Sequence, residues 1–180
     1  MKPKVHGLIG APVAVRVLAA ALLAVLALVP SVGNAQDARV AKSMAALKDE
    51  TAKLGAPKIE GNETVGGWNA PALYFGQTKM NNNSAVVDAV AKESGEGMVA
   101  SLFVKAGDQY VRVATTVPKP GGSGRAIGTV LREPALDAIK AGNPYYGEAP
   151  DPWRAYITGY EPIKEASGAI IGVYAVGYKK

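Results

Sequence analysis

The sequence contains no cysteine, and its single histidine, His6, sits near the N-terminus. Beyond His6 the chain has neither imidazole nor thiol. That excludes Ser-His-Asp and Cys-His nucleophilic catalysis, zinc sites built on His or Cys, haem held by His or Cys and any disulfide framework. Chemistry, if there were any, would rest on carboxylates, lysines or tyrosines. Aromatic residues are also scarce, at 7% of the chain. Their distribution is therefore informative: of 2 Trp, 8 Tyr and 2 Phe, five fall within residues 143–160, NPYYGEAPDPWRAYITGY.

Long apolar runs are limited to one. Lys2, Lys4 and Arg16 form an acid-free basic start, residues 17–29 are continuously apolar, and Pro30 then precedes the small-residue site Gly33-Asn34-Ala35. This is the pattern of a secretory signal peptide, residues 1–35, cleaved near Ala35. The expected location is periplasmic or secreted. A membrane-spanning helix needs about 20 apolar residues, so the run is short for a permanent anchor; a retained start would make a membrane-tethered accessory module instead. Removing the three leader cations leaves 17 basic against 15 acidic residues, a net charge of +2 instead of +5. Nucleic acid is therefore not an expected partner. The remainder is one domain's worth of chain, enough to bury about two thirds of its unfolded surface without disulfides.

Within it, Val40, Met44, Leu47, Thr51 and Leu54 share one helical face, predicting an amphipathic helix from Gln36 to Leu54 that stops at Gly55. Residues 36–55 are thus read as a leading helix and 56–180 as the domain it serves. Residues 55–71 read as an irregular connection. A short apolar strand at 71–76 follows, then a helix capped by the Asn81-Asn82-Asn83-Ser84 run and ending near Gly95 or Gly97. Residues 98–105 and 109–116 read as an antiparallel hairpin, 118–128 as a loop, 134–140 as a short helix, and 145–149, 153–163 and 170–178 as strands. The second and third of these strands are separated by a Ser167-Gly168 turn, and the first two by Pro150-Asp151-Pro152. Two strands, a helix and three strands predict an α+β domain built on an antiparallel sheet.

The ordered segments YVRVATTVPKPGGSGRAIGTVL, AIKAGNPYYGEA and YITGYEPIKEASGAIIGVYAVG resemble the single Cache domains of bacterial extracytoplasmic sensors, PAS-like ligand-binding modules of chemoreceptors and sensor kinases. The resemblance covers residues 71–177 and is most specific at YITGYEPIK. It implies a PAS-like/Cache fold: a five-stranded antiparallel sheet, the long N-terminal helix packed on one side, and a ligand pocket on the other, framed by residues 116–145. The sequence given has no transmembrane helix or output domain after its last strand, so a free exported sensory domain is expected, with a membrane receptor or kinase as a candidate partner.

Alternation divides the aromatic stretch. Arg154, Tyr156, Thr158 and Tyr160 point to one face, Trp153, Ala155, Ile157 and Gly159 to the other. A buried tyrosine hydroxyl needs a hydrogen-bond partner, which a carboxylate or polar metabolite could be; backbone or water could equally serve. Tyr146, Tyr156 and Tyr160 are candidate ligand contacts, with Trp153 as a wall or a core residue. Arg112, and Arg125 in the Gly-rich loop, are candidate anion contacts because a guanidinium presents a planar fork of donors to a carboxylate; each could also be a structural or solvated arginine. GGSGRAIG lacks the GK[ST] ending of a phosphate-binding P-loop and reads as a flexible loop. The acid pairs Glu148/Asp151 and Glu161/Glu165 lie at strand ends and turns where solvated carboxylates are ordinary, so no enzyme, cofactor or metal is expected. The alternative to a small-molecule site is an interaction module whose helix 36–54 pairs with another protein or in a homodimer. Mass spectrometry of the exported protein is expected to find a chain starting at Gln36; a mass starting at Met1 would establish that the leader is retained.

Overall fold

The computed structural model describes residues 35–151 and 154–180; the leader up to residue 34, and Trp153, lie outside them. The first helix, α1 (Ala35–Ala52), presents Val40, Met44, Leu47 and Thr51 on one buried face. Its helical hydrogen bonding ends two residues earlier than the apolar pattern predicts, and Leu54 packs against the core from the turn leading to Gly55.

Residues 55–71 are not an irregular connection. They hold β1 (Pro57–Val65) and the start of β2 (Trp68–Phe75), an antiparallel hairpin in which Val65 pairs with Trp68 across Gly66-Gly67. Both turn glycines have positive φ, 56° and 90°, the two-residue geometry that follows strand twist. The strand is hidden in the sequence because β1 is largely exposed, so no apolar alternation marks it. A short β3 (Thr78–Lys79) completes a three-stranded sheet in the order β1-β2-β3. Buried Asn81 closes it, accepting from the Leu73 N–H at 3.0 Å and donating to the Pro71 carbonyl at 3.1 Å.

Next comes α2 (Ala85–Ser94). It follows Ser84 as expected, but Ser84 makes no side-chain cap bond; Asn83 Oδ1 accepts from the Ala85 N–H at 3.1 Å instead. The main sheet contains β4 (Met98–Ala106), β5 (Gln109–Thr115), β6 (Tyr145–Asp151), β7 (Arg154–Lys164) and β8 (Ile170–Lys179), all antiparallel, in the order β5-β4-β8-β7-β6. A short α3 (Ala135–Lys140) precedes β6. The five-stranded antiparallel sheet is the one the sequence predicts. One detail differs: β6 continues through Pro150 to Asp151, which pairs with Arg154, so most of the expected Pro-Asp-Pro turn is strand. β6 is an edge strand, where a missing N–H leaves no ladder bond unmade.

The two faces of this sheet differ. On one, α1 and α2 bring Val40, Met44, Leu47, Val87 and Val90 against Leu102, Ile157, Tyr174, Val176 and Tyr178. Burying each such side chain is worth about 1.5–3 kcal/mol. The contact with α1 is close, since a Cβ at Gly159 would lie 2.9 Å from Val40 Cγ1. On the other face, Phe103, Tyr110, Tyr160, Val173 and Ala175 meet Leu131, Ala135 and Ile139 from the segment between β5 and β6.

The tip of the β1–β2 hairpin touches that segment backbone to backbone. A Cβ at Gly66 would sit 2.5 Å from the Gly128 Cα, and one at Gly128 2.6 Å from the Gly66 Cα. Gly61 also has positive φ but open space around it. Gly61→Ala is expected to cost about 1–2 kcal/mol in urea unfolding, the conformational term alone. Gly66→Ala is expected to lose a further ~1–3 kcal/mol from overpacking; equal losses would show that the glycine-glycine contact does not hold the hairpin.

Candidate ligand-binding site

The face of the sheet opposite α1 carries a cavity of about 640 Å³, within the roughly 300–1,000 Å³ range of small-molecule sites. Its shape follows from which residues lie opposite one another. One row across the sheet reads Thr115, Ser101, Ala175, Tyr160, Tyr145, and the next reads Val99, Gly177, Thr158, Gly147. Small side chains on central β8 lie between the aromatic rings of β6 and β7 and the Phe103 and Arg112 side of β4 and β5. The sheet is therefore hollow in the middle.

Residues 116–134 form the roof. They run back along the free edge of β5, where Thr129 accepts from the Arg112 N–H, Gly128 donates to the Arg112 carbonyl, and Leu131 donates to the Tyr110 carbonyl, each at 2.9 Å. Ala126, Leu131 and Ala135 face the cavity from this side. The Gly-rich stretch folds back on itself, with Lys119 donating to the Gly124 carbonyl and Pro118 bridged to Arg125.

Of the residues singled out by sequence, Tyr156, Tyr160 and Arg112 line the cavity. Tyr156 is 7% exposed, and no described residue hydrogen-bonds its hydroxyl. The Tyr160 ring lies 6.3 Å from that of Tyr145, tilted by 42°. Arg112 donates to Thr129 Oγ1 at 2.9 Å and places its guanidinium 4.9 Å from the centre of the Phe103 ring.

Arg125 and Tyr146 are elsewhere. Arg125 donates to both carboxylate oxygens of Asp88 on α2, at 2.6 and 3.0 Å, and to the Thr115 carbonyl at 2.7 Å. It ties the base of the roof to α2. Tyr146 follows Tyr145 in β6 and so points to the α1 side, where its hydroxyl donates to Glu161 Oε1 at 2.6 Å. Partial burial and the neighbouring Glu161 both push the Tyr146 phenol well above its ordinary value. The side chain of Trp153 lies outside the described residues.

The sequence reading passed over Phe103, Tyr145 and Ala175, which line the cavity together with Thr158, already placed on that face by alternation. The same period-2 count, carried to the last strand, would have found Ala175 with Gly177. Lys119, Arg132 and Glu133 from the roof add charge to the lining. Among the described residues no three His, Cys, Asp or Glu side chains are grouped so as to hold a metal ion.

A PAS-like α+β domain, with a helix on one face of a five-stranded antiparallel sheet and a roofed cavity on the other, is the class that this architecture defines. The chain belongs to the Cache 3/Cache 2 fusion domain family, whose model matches residues 18–180. Cache domains are extracytoplasmic sensor domains that bind small molecules. No curated protein and no solved structure matches the chain. No helix among the described residues is long and apolar enough to cross a membrane.

Glu161, on the helix side of β7, accepts from Lys48 Nζ of α1 at 2.7 Å as well as from Tyr146. Burial alone would raise its pKa, but the bonds from Lys48 and Tyr146 together outweigh it and hold the carboxyl below its ordinary value. A lowered folded-state pKa contributes stability above the unfolded value, roughly 4.3, and loses it as pH falls through the folded value. The melting-temperature gap between wild type and Glu161→Gln is therefore expected at neutral pH and to close below about pH 4. A gap that stays constant with pH would show that the Lys48–Glu161–Tyr146 contacts do not stabilise the fold.

Proposed function

We propose that this chain is an exported, periplasmic or secreted, non-catalytic sensory domain that binds a small polar or carboxylate-bearing metabolite between the sheet and the roof of residues 116–134. The observation that carries this reading is the Tyr156 hydroxyl: a nearly buried phenol on the cavity wall with no hydrogen-bond partner among the described residues. The ring is held in the wall while the hydroxyl oxygen opens to the cavity, where it can donate to a ligand acceptor. Tyr160 supplies a ring beside it and Arg112 a cation across the sheet. The basic and apolar start of the chain supports export, and the extracytoplasmic character of the family agrees with it. A receptor or kinase at the membrane would read the bound state.

The competing interaction-module reading draws on α1, whose apolar face would have to be available to a partner. Val40, Met44 and Leu47 are instead 0–1% exposed, packed on the domain's own sheet. That favours the small-molecule reading.

A thermal-shift screen of organic acids, amino acids and nucleobases tests it. A true ligand at a hundredfold excess over its dissociation constant is expected to add about 2.7 kcal/mol of stability. Tyr156→Phe, which removes only the hydroxyl, is expected to weaken that ligand by roughly 2- to 13-fold, equivalent to one hydrogen bond of 0.5–1.5 kcal/mol, while leaving the unliganded melting temperature nearly unchanged. A screen in which no compound raises the midpoint would overturn the reading.

A further inference from the structure

Granting that the cavity is a small-molecule site, we propose that its ligand is a carboxylate with an apolar, ring-bearing body, an arylalkanoate in chemical class, and not a sugar or a short polar diacid. The cavity is chemically divided. Among the described residues its cations, Arg112, Lys119 and Arg132, come from β5 and the roof, and the carboxylate of Glu133 lies with them. Its tyrosine rings, Tyr145, Tyr156 and Tyr160, all come from β6 and β7. A molecule spanning the space meets positive charge at one end, with the Phe103 ring beside Arg112, and the tyrosine rings at the other.

Apart from Tyr156, several hydroxyls in the wall already bond to the protein. Ser101 is bonded to Thr115 at 2.6 Å. Thr158 donates to the Gly147 carbonyl, Thr129 to the Ala126 carbonyl and Tyr145 to the Glu148 carbonyl, each at 2.9 Å. A polyhydroxylated ligand would meet many apolar side chains, Val99, Phe103, Val117, Ala126, Leu131 and Ala175 among them, and each of its buried hydroxyls left unmatched costs about 1–3 kcal/mol. An apolar body has no such requirement. Between the rings and the roof it would rest on Ala175, whose small side chain leaves the space that a ring fills. A two- or three-carbon acid would satisfy the cations and leave most of this volume to water.

Titration calorimetry on the full chain separates these classes with three probes: 3-phenylpropionate, its neutral analogue 3-phenylpropan-1-ol, and succinate. The arylalkanoate is expected to bind at least about tenfold more tightly than either of the others, a difference of about 1.4 kcal/mol. Ala175→Leu is expected to remove that preference by filling the floor, with the unfolding midpoint measured alongside to confirm the fold. Arg132→Ala, an exposed substitution at the rim, is expected to weaken the acid several-fold and leave the alcohol unaffected. Succinate binding more tightly than 3-phenylpropionate would overturn the ring-bearing body, and an alcohol as tight as the acid would overturn the carboxylate; in both cases the cavity still binds a small molecule. Binding by none of the three also overturns the proposal, and the sensory reading falls with it only where the wider thermal-shift screen is blank as well.

Discussion

Strand β8 is paired on both edges and covered on both faces, and the rest of the molecule is arranged around that constraint. Its residues 171–178 are buried without interruption. Hydrogen bonding to β4 and β7 satisfies its backbone, which an interior strand requires. Its side chains then decide what each face can be. Tyr174, Val176 and Tyr178 fill the space beneath α1, and the two tyrosines keep their hydroxyls bonded there: Tyr178 to Ser43 at 2.9 Å, Tyr174 to Thr51 at 3.4 Å. Ala175 and Gly177 turn the other way and leave the opposite face hollow. One ten-residue strand therefore supplies both the bulk that anchors the helix and the lack of bulk that makes a cavity.

That hollow has to be closed from the side, because the flanking strands give it walls but no roof. Residues 116–134 do so by adding hydrogen bonds to the free edge of β5, which also shields an edge that would otherwise be open to pairing with another chain. The roof is fixed at two further points. Arg125 anchors its base to Asp88 of α2, a partly exposed pair in which the additional bond to the Thr115 carbonyl fixes the geometry. Gly128 rests against Gly66 at the tip of the small sheet. The β1–β2–β3 sheet thereby contributes to the site at a distance, without lining it.

The sequence disclosed those parts whose physics is local. The leading helix is legible because Val40, Met44 and Leu47 recur at helical spacing, and the main sheet because its strands alternate and its turns are marked by Gly and Pro. The pocket face of β7 could be read from alternation alone, which correctly separated Tyr156 and Tyr160 from Ile157 and Gly159. The β1–β2 hairpin could not, since an exposed strand has no apolar pattern to display and Gly66-Gly67 lay in a stretch dense with other turn residues. Arg125 illustrates a different limit. A guanidinium in a Gly-rich loop looks available to an anion until the fold brings Asp88, 37 positions away, to within 2.6 Å. Tyr146 illustrates a third: it was chosen for its ring and hydroxyl, but its neighbour Tyr145 occupies the pocket face and strand geometry sends the next residue to the other side.

The same geometry makes the site depend on register more than on any one contact. Four cavity residues of β6 and β7 are each adjacent in sequence to one on the opposite face: Tyr145 to Tyr146, Tyr156 to Ile157, Thr158 to Gly159, Tyr160 to Glu161. A slip of one position would exchange the two sets. Glu161 would then enter the aromatic side of the cavity away from Lys48, and Tyr160 would be driven into the place where Gly159 lets Val40 of α1 pack close against the sheet. Neither face tolerates the other's residues, so the packing of α1 and the composition of the cavity wall specify the same register. The helix on one side of the sheet and the pocket on the other are, in that sense, two readings of a single alternating pattern.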